Sequence, residues 1–281
     1  MLETLTLIPF LLMTVAEPRP ATPAPTAPAT VDPGKSSPTP APPKLEPLPA
    51  IIPSAVAFPH PLITEVLFAV PTTGDNDANK SGKREVSGDE FIEIINPHDR
   101  SIELKGYTLT DGSPTAKTTL RFVFPAMTLP PRAVVVLFNG HDAKIPGLVG
   151  DAKAAPIGGN EHFHKAIIFT ARVASARISF SNAGDAACLK APDGKPIQRV
   201  RWGKADEKAG GIGFPLDEIA PTSSKASVQR DSIGKDGTWK SHVEVDSAPF
   251  SPGVFAPLEL KPTTAPAKTP TAHETPAPAT K

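Results

Sequence analysis

A short run of oxygen-bearing side chains is the strongest candidate for chemistry in this sequence. Residues 77–82 read Asp-Ala-Asn-Lys-Ser-Gly, so oxygen atoms recur at the first, third and fifth positions and a glycine follows at the sixth. That spacing is typical of calcium loops, in which alternate side chains point at the ion and the glycine permits a sharp turn. Acids that follow supply further oxygens. The predicted calcium ligands are Asp77, Asn79, Ser81, Glu85 and Asp89.

Two features of this run predict that calcium binding is weak. Ser81 is neutral where a further acid would strengthen the site, and the twelfth position is Gly88 instead of a bidentate Glu. Asp89 follows directly and could close the site from the start of the next strand. We expect an affinity on the order of 10⁻⁴ to 10⁻³ M. The alternative is a hydrophilic hairpin loop that binds no ion.

Two histidines form a second candidate metal site. His162 and His164 are two residues apart, and on a strand they would point to the same face, where they could share a metal ion. The neighbouring sequence offers no third ligand. We therefore favour a polar loop at this position.

Familiar catalytic motifs are absent from the sequence. It contains no G-x-S-x-G turn, no H-E-x-x-H and no phosphate-binding P-loop. The glycine-rich run 210–213 has no strand-to-helix context, and the thiol of Cys188 lies in an apolar run with Lys190 as its only basic neighbour. The sequence therefore predicts that the chain is not an enzyme.

The ends of the chain differ in composition from its centre. The sequence holds 36 prolines in 281 residues, and they concentrate in residues 17–53 and 257–281. Such segments bury too little apolar surface to offset the entropy of ordering the backbone, and the fixed φ of proline makes them semi-rigid spacers. The sequence predicts a signal peptide (1–16), a disordered proline-rich segment (17–59), a folded domain with a C-terminal extension (60–256) and a disordered tail (257–281).

The first residues predict export. Residues 5–16 (LTLIPFLLMTVA) are apolar but too short to cross a bilayer, which needs about 20 residues, and Ala16 offers a small-residue cleavage site before Glu17. No lysine or arginine precedes this run, which is unusual for a signal peptide. We expect an exported protein, in the periplasm, at the cell surface or outside the cell, with no transmembrane helix after the signal is removed.

Charge gives no global preference for a partner. Lysine and arginine total 29, and aspartate and glutamate also total 29, so no net field steers the chain toward nucleic acid or an acidic membrane. Bases outnumber acids between residues 165 and 208, which leaves weak nucleic-acid binding open. Trp202 is the only tryptophan of that basic region, so stacking on bases is poorly supported.

The central region consists of short segments in which apolar and polar residues alternate with period two, which indicates strands. The alternation places Glu90 and Glu93 outward, and the pair Asp193-Gly194 predicts a type I′ hairpin turn. Amphipathic helix periodicity is nearly absent, so the pattern predicts an all-β sandwich or barrel. The predicted strands are 63–70, 90–96, 101–109, 120–124, 133–138, 177–180, 186–190 and 196–202.

Several of these segments carry more specific motifs. In chain order they are ITEV (63–66), EFIEIINP (90–97), IELKGYTLTD (102–111), FVFP (122–125), LPPRAVVVL (129–137), SFSNAGDAACL (179–189), SVQR (227–230), Trp239 and SPG (251–253). Taken in this order, the motifs resemble those of lamin tail domains over residues 61–253. The resemblance implies an immunoglobulin-like β-sandwich, here flanked by disordered proline-rich segments.

The resemblance also bears on function. It implies association with proteins, membranes or nucleic acid, without choosing between them. Together with the predicted export, it favours a non-catalytic, exported or envelope-associated binding or structural module with a protein partner in the envelope or outside the cell. Two alternatives stay open: an accessory domain that partners an extracellular hydrolase or nuclease, and a weak nucleic-acid-binding module.

Overall fold

The computed structural model describes residues 52–113, 120–141, 143–171 and 180–255. The predicted signal peptide, most of the proline-rich segment, the tail 257–281 and nearly all of the predicted strand 177–180 lie outside the described residues. Within them, the regular structure is almost entirely β. The strands are β1 (Leu62–Leu67), β2 (Phe91–Ile95), β3 (Ile102–Glu103), β4 (Thr108–Asp111), β5 (Arg121–Val123), β6 (Thr128–Leu129), β7 (Val134–Phe138), β8 (Ile167–Thr170), β9 (Gly184–Lys190), β10 (Pro196–Gly203), β11 (Leu216–Ile219), β12 (Val228–Arg230) and β13 (Trp239–Ser241).

Helical structure in the described ranges is limited to single turns. A 3-10 helix spans Glu161–Phe163, and a short helix α1 spans His242–Val245. No helix among the described residues has the length and apolar character needed to cross a membrane.

The strands form two main sheets. The first has the order β13-β12-β1-β2-β7-β8 and is antiparallel except for the pair β7 and β8. The second has the order β11-β10-β9-β4-β5 and is antiparallel except for the pair β10 and β11. Strands β3 and β6 form a separate ladder. Each main sheet has an apolar face that must be buried, and the two sheets bury these faces by packing against each other.

The main core lies between the two sheets. Apolar side chains from both sheets form one buried cluster, which includes Ile63 from the first sheet and Leu109 and Val200 from the second. Phe68, just after β1, stacks on Trp202 of β10 with ring centroids 4.4 Å apart. The predicted all-β sandwich is confirmed.

Two local predictions fail at glycines with positive φ. The predicted strand 101–109 is broken into β3 and β4, because Gly106 has φ 84° and a Cβ there would come within 3.1 Å of Pro192. The turn between β9 and β10 is not type I′, which needs positive φ at both central residues. Of those two residues only Gly194 has positive φ, and its amide closes the turn onto the Ala191 carbonyl at 2.9 Å.

The folded domain begins before His60. The amide of Ala55 donates to the Ile233 carbonyl at 2.8 Å, and Val56 is buried in the main core. Residues 54–59 therefore contact the packed domain ahead of residue 60, where the sequence analysis places its start. A single buried valine among prolines produces no periodic pattern, so the sequence does not reveal this contact.

The outer face of the six-stranded sheet is covered as well. Three segments lie over it: residues 71–89, which we call the acidic loop, the 3-10 helix, and residues 247–255, which we call the closing segment. They contribute Ala78, Phe163 and Phe250, respectively, to a second apolar cluster against the sheet. The sheet is therefore buried on both faces, and polar groups on its outer face are removed from water.

Candidate functional site

Two glutamates lie side by side on the covered face of the six-stranded sheet. Glu65 of β1 and Glu93 of β2 are directly opposite each other in the antiparallel ladder, so their side chains project from the same face. Both are fully buried, with 0% exposure. The expectation that Glu93 faces outward is therefore wrong, and so is the same expectation for Glu90, which is 2% exposed.

The two carboxylates hold the closing segment onto the sheet. Glu65 accepts a hydrogen bond from the Ser251 amide at 3.1 Å. Glu93 accepts one from the Gly253 amide at 2.9 Å and another from the Thr64 hydroxyl at 2.8 Å. Hydrogen bonds to an ionised acceptor are roughly twice as strong as neutral ones. The backbone amides of the closing segment thus fix it to the sheet, and the Ser251 hydroxyl adds a contact with Glu65 at 3.1 Å.

Three further polar side chains complete this arrangement. His242 Nδ1 donates to the Ala248 carbonyl at 2.7 Å, because a carbonyl only accepts, and His242 Nε2 lies 2.8 Å from the Ser251 hydroxyl. Gln229 Nε2 lies 3.4 Å from both Ser251 Oγ and Glu65 Oε2. Among the described residues, the buried Gln229 Oε1 has no hydrogen-bond partner. These five residues form what we call the buried network: Glu65, Glu93, Gln229, His242 and Ser251.

Burial controls the protonation of this network. Removal from water raises the pKa of Glu65, against the opposing effect of His242 and of its hydrogen bonds. The same desolvation raises the pKa of Glu93 well above its usual range, and the charge of Glu65 adds to the rise. Because two neighbouring buried carboxylates cannot both ionise without a large cost, the pair favours binding a proton.

Sequence reasoning did not find the buried network. Gln229 and Ser251 lie in motifs of the resemblance, but nothing in their spacing shows that Ser251 meets Glu65, 186 residues away. His242 belongs to no motif. The one available signal is an acid inside an otherwise apolar run, as Glu65 is within LITEVL. Such an acid is more informative than one in a polar loop, because ionised side chains are rarely buried without partners.

The acidic loop folds around the residues that the sequence predicts as calcium ligands. Asp77 accepts the Ser81 amide through Oδ1 at 2.9 Å and the Gly82 amide through Oδ2 at 2.8 Å. Asn79 Oδ1 accepts the same Ser81 amide at 2.9 Å. Gly82 has φ 94°, so the sharp turn expected from its position is present.

Asp89 closes the acidic loop at its other end. Its Oδ1 accepts the Asn79 amide at 2.9 Å, and its Oδ2 accepts the Glu85 amide at 2.6 Å. Glu85 accepts from Asn79 Nδ2 at 3.4 Å and pairs with the Lys83 ammonium at 2.8 Å. The loop brings the five predicted ligands together, but their oxygens bind the loop's own N–H groups. In the part of the chain that the structure describes, no group of three or more His, Cys, Asp or Glu side chains is arranged to hold a metal ion, and calcium binding stays a prediction.

The two histidines do not share a strand face. His162 lies in the 3-10 helix, and His164 follows it with φ 52°. The condition under which they could share a metal ion, a common strand, is therefore not met. The polar-loop interpretation agrees with this geometry.

The remaining acids of the motifs also fix loops. Asp111 accepts the Ser113 amide at 2.9 Å and the Leu120 amide at 2.8 Å. Asp185 accepts the amides of Gly112 at 2.9 Å and Ser181 at 3.0 Å, through different oxygens. Each carboxylate thus joins backbone segments on either side of a turn, the role that Asp commonly has in turns.

A cavity of about 650 Å³ opens between the acidic loop and the closing segment. The lining side chains that carry a charge or a hydroxyl are Asp75, Asp77, Lys80, His164, Asp246 and Ser251. The Lys80 ammonium donates to the His162 carbonyl and lies 5.0 Å from the centre of the Phe163 ring, so its charge is placed against the 3-10 helix. The acids therefore dominate the cavity, which suits a positively charged group.

The basic region offers little to a nucleic acid. Arg199 and Arg201 both pair with Asp217, at 2.5 Å and 3.1 Å. Trp202 is fully buried, so its ring cannot stack on a base. Cys188 is buried too, and burial raises the pKa of its thiol to about 12, which removes the thiolate needed for reactivity.

Comparison with protein families establishes the identity of the domain. The model of the family described as Lamin Tail Domain matches residues 59–204, just over half of the chain. The chain belongs to the lamin tail domain family. The immunoglobulin-like fold that the resemblance implies is thereby confirmed, and the family is a non-enzymatic one. None of the curated proteins compared with the chain matches it.

The folded unit continues beyond the range that the family model matches. The match covers β1 to β10, whereas β11, β12, β13 and the closing segment follow it. Nevertheless β12 pairs with β1 in the six-stranded sheet, and the closing segment is bonded to Glu65 and Glu93. Residues 205–255 are therefore part of the folded unit.

The pKa shifts predict a domain that is more stable at pH 5 than at pH 7. Burial raises the pKa of Asp89 and of Asp111 from 3.8 to about 6, so between these values the folded domain holds protons that the unfolded chain has released. Stability therefore falls as pH rises through this window. Urea midpoints should show this difference, and Asp111→Asn should reduce it.

Asp193→Asn is the matched control for this experiment. The hydrogen bond with Lys195 lowers the pKa of Asp193 below its ordinary value of 3.8, so its contribution to stability does not change between pH 5 and pH 7. The variant should keep the wild-type difference between pH 5 and pH 7. A wild-type urea midpoint that rises steadily over this range would contradict the assignment.

Calcium should raise the melting temperature of the domain slightly. The neutral Ser81 predicts a dissociation constant near the millimolar range, and the stabilisation grows with the logarithm of calcium concentration, so a gain of about 1 to 2 kcal/mol is the most we expect. Thermal melting in millimolar calcium and in chelator, for the wild type and Asp77→Ala, measures it. Melting that does not depend on calcium in either protein would show that the loop is a hydrophilic hairpin.

Proposed function

We propose that this lamin tail domain protein is an exported or envelope-associated module that binds a protein partner and carries out no catalysis on a substrate. The use of its acids supports the proposal most directly. Glu65, Glu93, Asp111 and Asp185 each accept at least two hydrogen bonds from the protein itself. A general acid or base needs an oxygen that reaches the substrate. These acids bind groups of the chain itself instead.

Export is supported by the two ends of the sequence. Residues 5–16 have the length and composition of a signal-peptide core, and proline-rich segments follow and end the chain. Proline-rich composition favours a semi-rigid spacer, and such a spacer suits a domain that is presented through or along a cell wall.

We assign the partner surface to the cavity between the acidic loop and the closing segment. Asp75, Asp77 and Asp246 give its lining an acidic character. The occupant that this charge favours is a lysine-bearing segment of an envelope or extracellular protein, because complementary charge orients and accelerates association. An accessory role beside an extracellular hydrolase or nuclease would use the same surface and would differ only in the activity of the partner.

Zero-length cross-linking of carboxylates to lysines in intact cells tests the proposal. The full-length protein with a C-terminal tag should be recovered from the envelope or the medium, beginning at or near Glu17. It should be joined through the acidic loop to one envelope or extracellular protein. The double variant Asp75→Asn/Asp246→Asn should lose most of this cross-linked product, because two acids of the cavity are neutralised.

A second double variant controls for charge in general. Asp206→Asn/Glu207→Gln neutralises two exposed acids in the loop after β10 and should keep the cross-linked product. Equal loss in both double variants would rule out the cavity as the partner surface. An intact Met1 found solely in the cytosol would rule out export, and hydrolysis of a substrate by the purified domain would rule out a non-catalytic role.

A further inference from the structure

The buried network contains a serine beside an oriented base. Ser251 Oγ lies 2.8 Å from His242 Nε2, and the Ala248 carbonyl fixes the imidazole proton on Nδ1. A serine hydroxyl becomes a nucleophile when a neighbouring base takes its proton, and an orienting group on the far nitrogen is the usual third member of such sets.

The side-chain amide of Gln229 lies next to this hydroxyl. Gln229 Nε2 is 3.4 Å from Ser251 Oγ, and the amide carbon is bonded about 1.3 Å from that nitrogen. Reacting atoms in near-attack geometry are about 3 to 3.5 Å apart, so the side chain must rotate to bring its carbon, which lies behind the donating nitrogen, toward the hydroxyl. Gln229 Oε1 has no hydrogen-bond partner among the described residues, so the carbonyl is not committed elsewhere.

Glu65 supplies an acid at the same place. Its Oε2 lies 3.4 Å from Gln229 Nε2 and 3.1 Å from Ser251 Oγ. Burial raises the pKa of Glu65, and Glu93 lies directly opposite, so the carboxyl pair retains a proton that can be donated to the amide. A buried carboxylic acid beside a leaving nitrogen favours its departure.

The surroundings would protect an ester once it formed. Glu65, Gln229 and His242 are each at most 1% exposed, so water has no direct path to the reacting carbon. Ser251, by contrast, lines the cavity between the acidic loop and the closing segment. A small leaving molecule therefore has an exit on the serine side.

We propose that the folded domain joins Ser251 to Gln229 through an ester bond that it forms itself, which ties the closing segment to β12. Ser251 Oγ bonds to Gln229 Cδ while His242 takes the hydroxyl proton. The Cδ–Nε2 bond breaks, and the nitrogen leaves as ammonia with the proton that the Glu65–Glu93 pair donates, while the proton held by His242 replaces it on the pair. Nothing is oxidised or reduced, and no co-reactant is needed. The inference is independent of the proposed function.

The bond would give this domain a covalent cross-link that its cysteine cannot provide. Cys188 is the single cysteine of the chain, so no internal disulfide is available. A bond between residues 229 and 251 closes a loop that contains β13 and α1, and it secures the chain just before the proline-rich tail. Such a cross-link stabilises chiefly by restricting the unfolded chain.

Peptide mapping by mass spectrometry of the purified full-length protein tests this directly. Trypsin cuts after Lys225, Arg230 and Lys240, so Gln229 and Ser251 fall in the separate peptides 226–230 and 241–268. The wild type should yield one joined species whose mass is the sum of the two peptides less one ammonia. Mild hydroxylamine should separate it. Two separate, unmodified peptides from the wild type would overturn the proposal, whatever the behaviour of any variant.

Variants identify the atoms involved. Ser251→Ala removes the nucleophile and Gln229→Leu removes the electrophile, so each should give only separate peptides. His242→Gln should slow the appearance of the joined species in freshly made protein. Ser247→Ala removes an exposed serine from the same peptide as Ser251 and should leave the joined species intact. A joined species that persists in Ser251→Ala would overturn the assignment.

Discussion

The structure depends on one costly arrangement, the burial of Glu65 and Glu93 beside each other. A buried charge that lacks partners is so unfavourable that it is protonated or paired with donors. Here both solutions operate, because the pKa values are raised and the amides of Ser251 and Gly253 donate to the two carboxyl groups. Without the closing segment, the two glutamates would lose these backbone donors, at a free-energy cost of roughly 1–3 kcal/mol for each unsatisfied group. The sheet therefore needs the closing segment in place.

The same physical solution recurs across the domain. Asp89, Asp111 and Asp185 are buried or nearly so, and each accepts backbone amides from residues distant from it in the sequence or across a turn. Backbone N–H donors are held in place by the fold and carry no net charge, so a carboxylate can fix a loop without a cationic partner. This explains how a sequence rich in acidic motifs can belong to a non-enzymatic family.

The sequence predicted the layers of the fold better than its contacts. Period-two alternation located β1, β2, β7, β9 and β10, because local burial dictates that pattern. The same rule placed Glu93 outward, since alternation marks the face away from the main core and cannot show that Gly253, 160 residues later, returns to cover it. The order of the motifs identified the family, but not the meeting of Gln229, His242 and Ser251, which only the folded topology creates.

Amide hydrogen exchange of the closing segment tests the central claim most directly. Glu93→Gln retains the volume of the side chain but removes one carboxyl group of the pair, so the Gly253 amide loses its carboxyl acceptor. Exchange at Gly253 and Ser251 should accelerate by about tenfold or more, while the amides of β9 and β10 should keep their protection. Unchanged protection of the closing segment in a folded Glu93→Gln protein would contradict the claim that the buried carboxylates hold it.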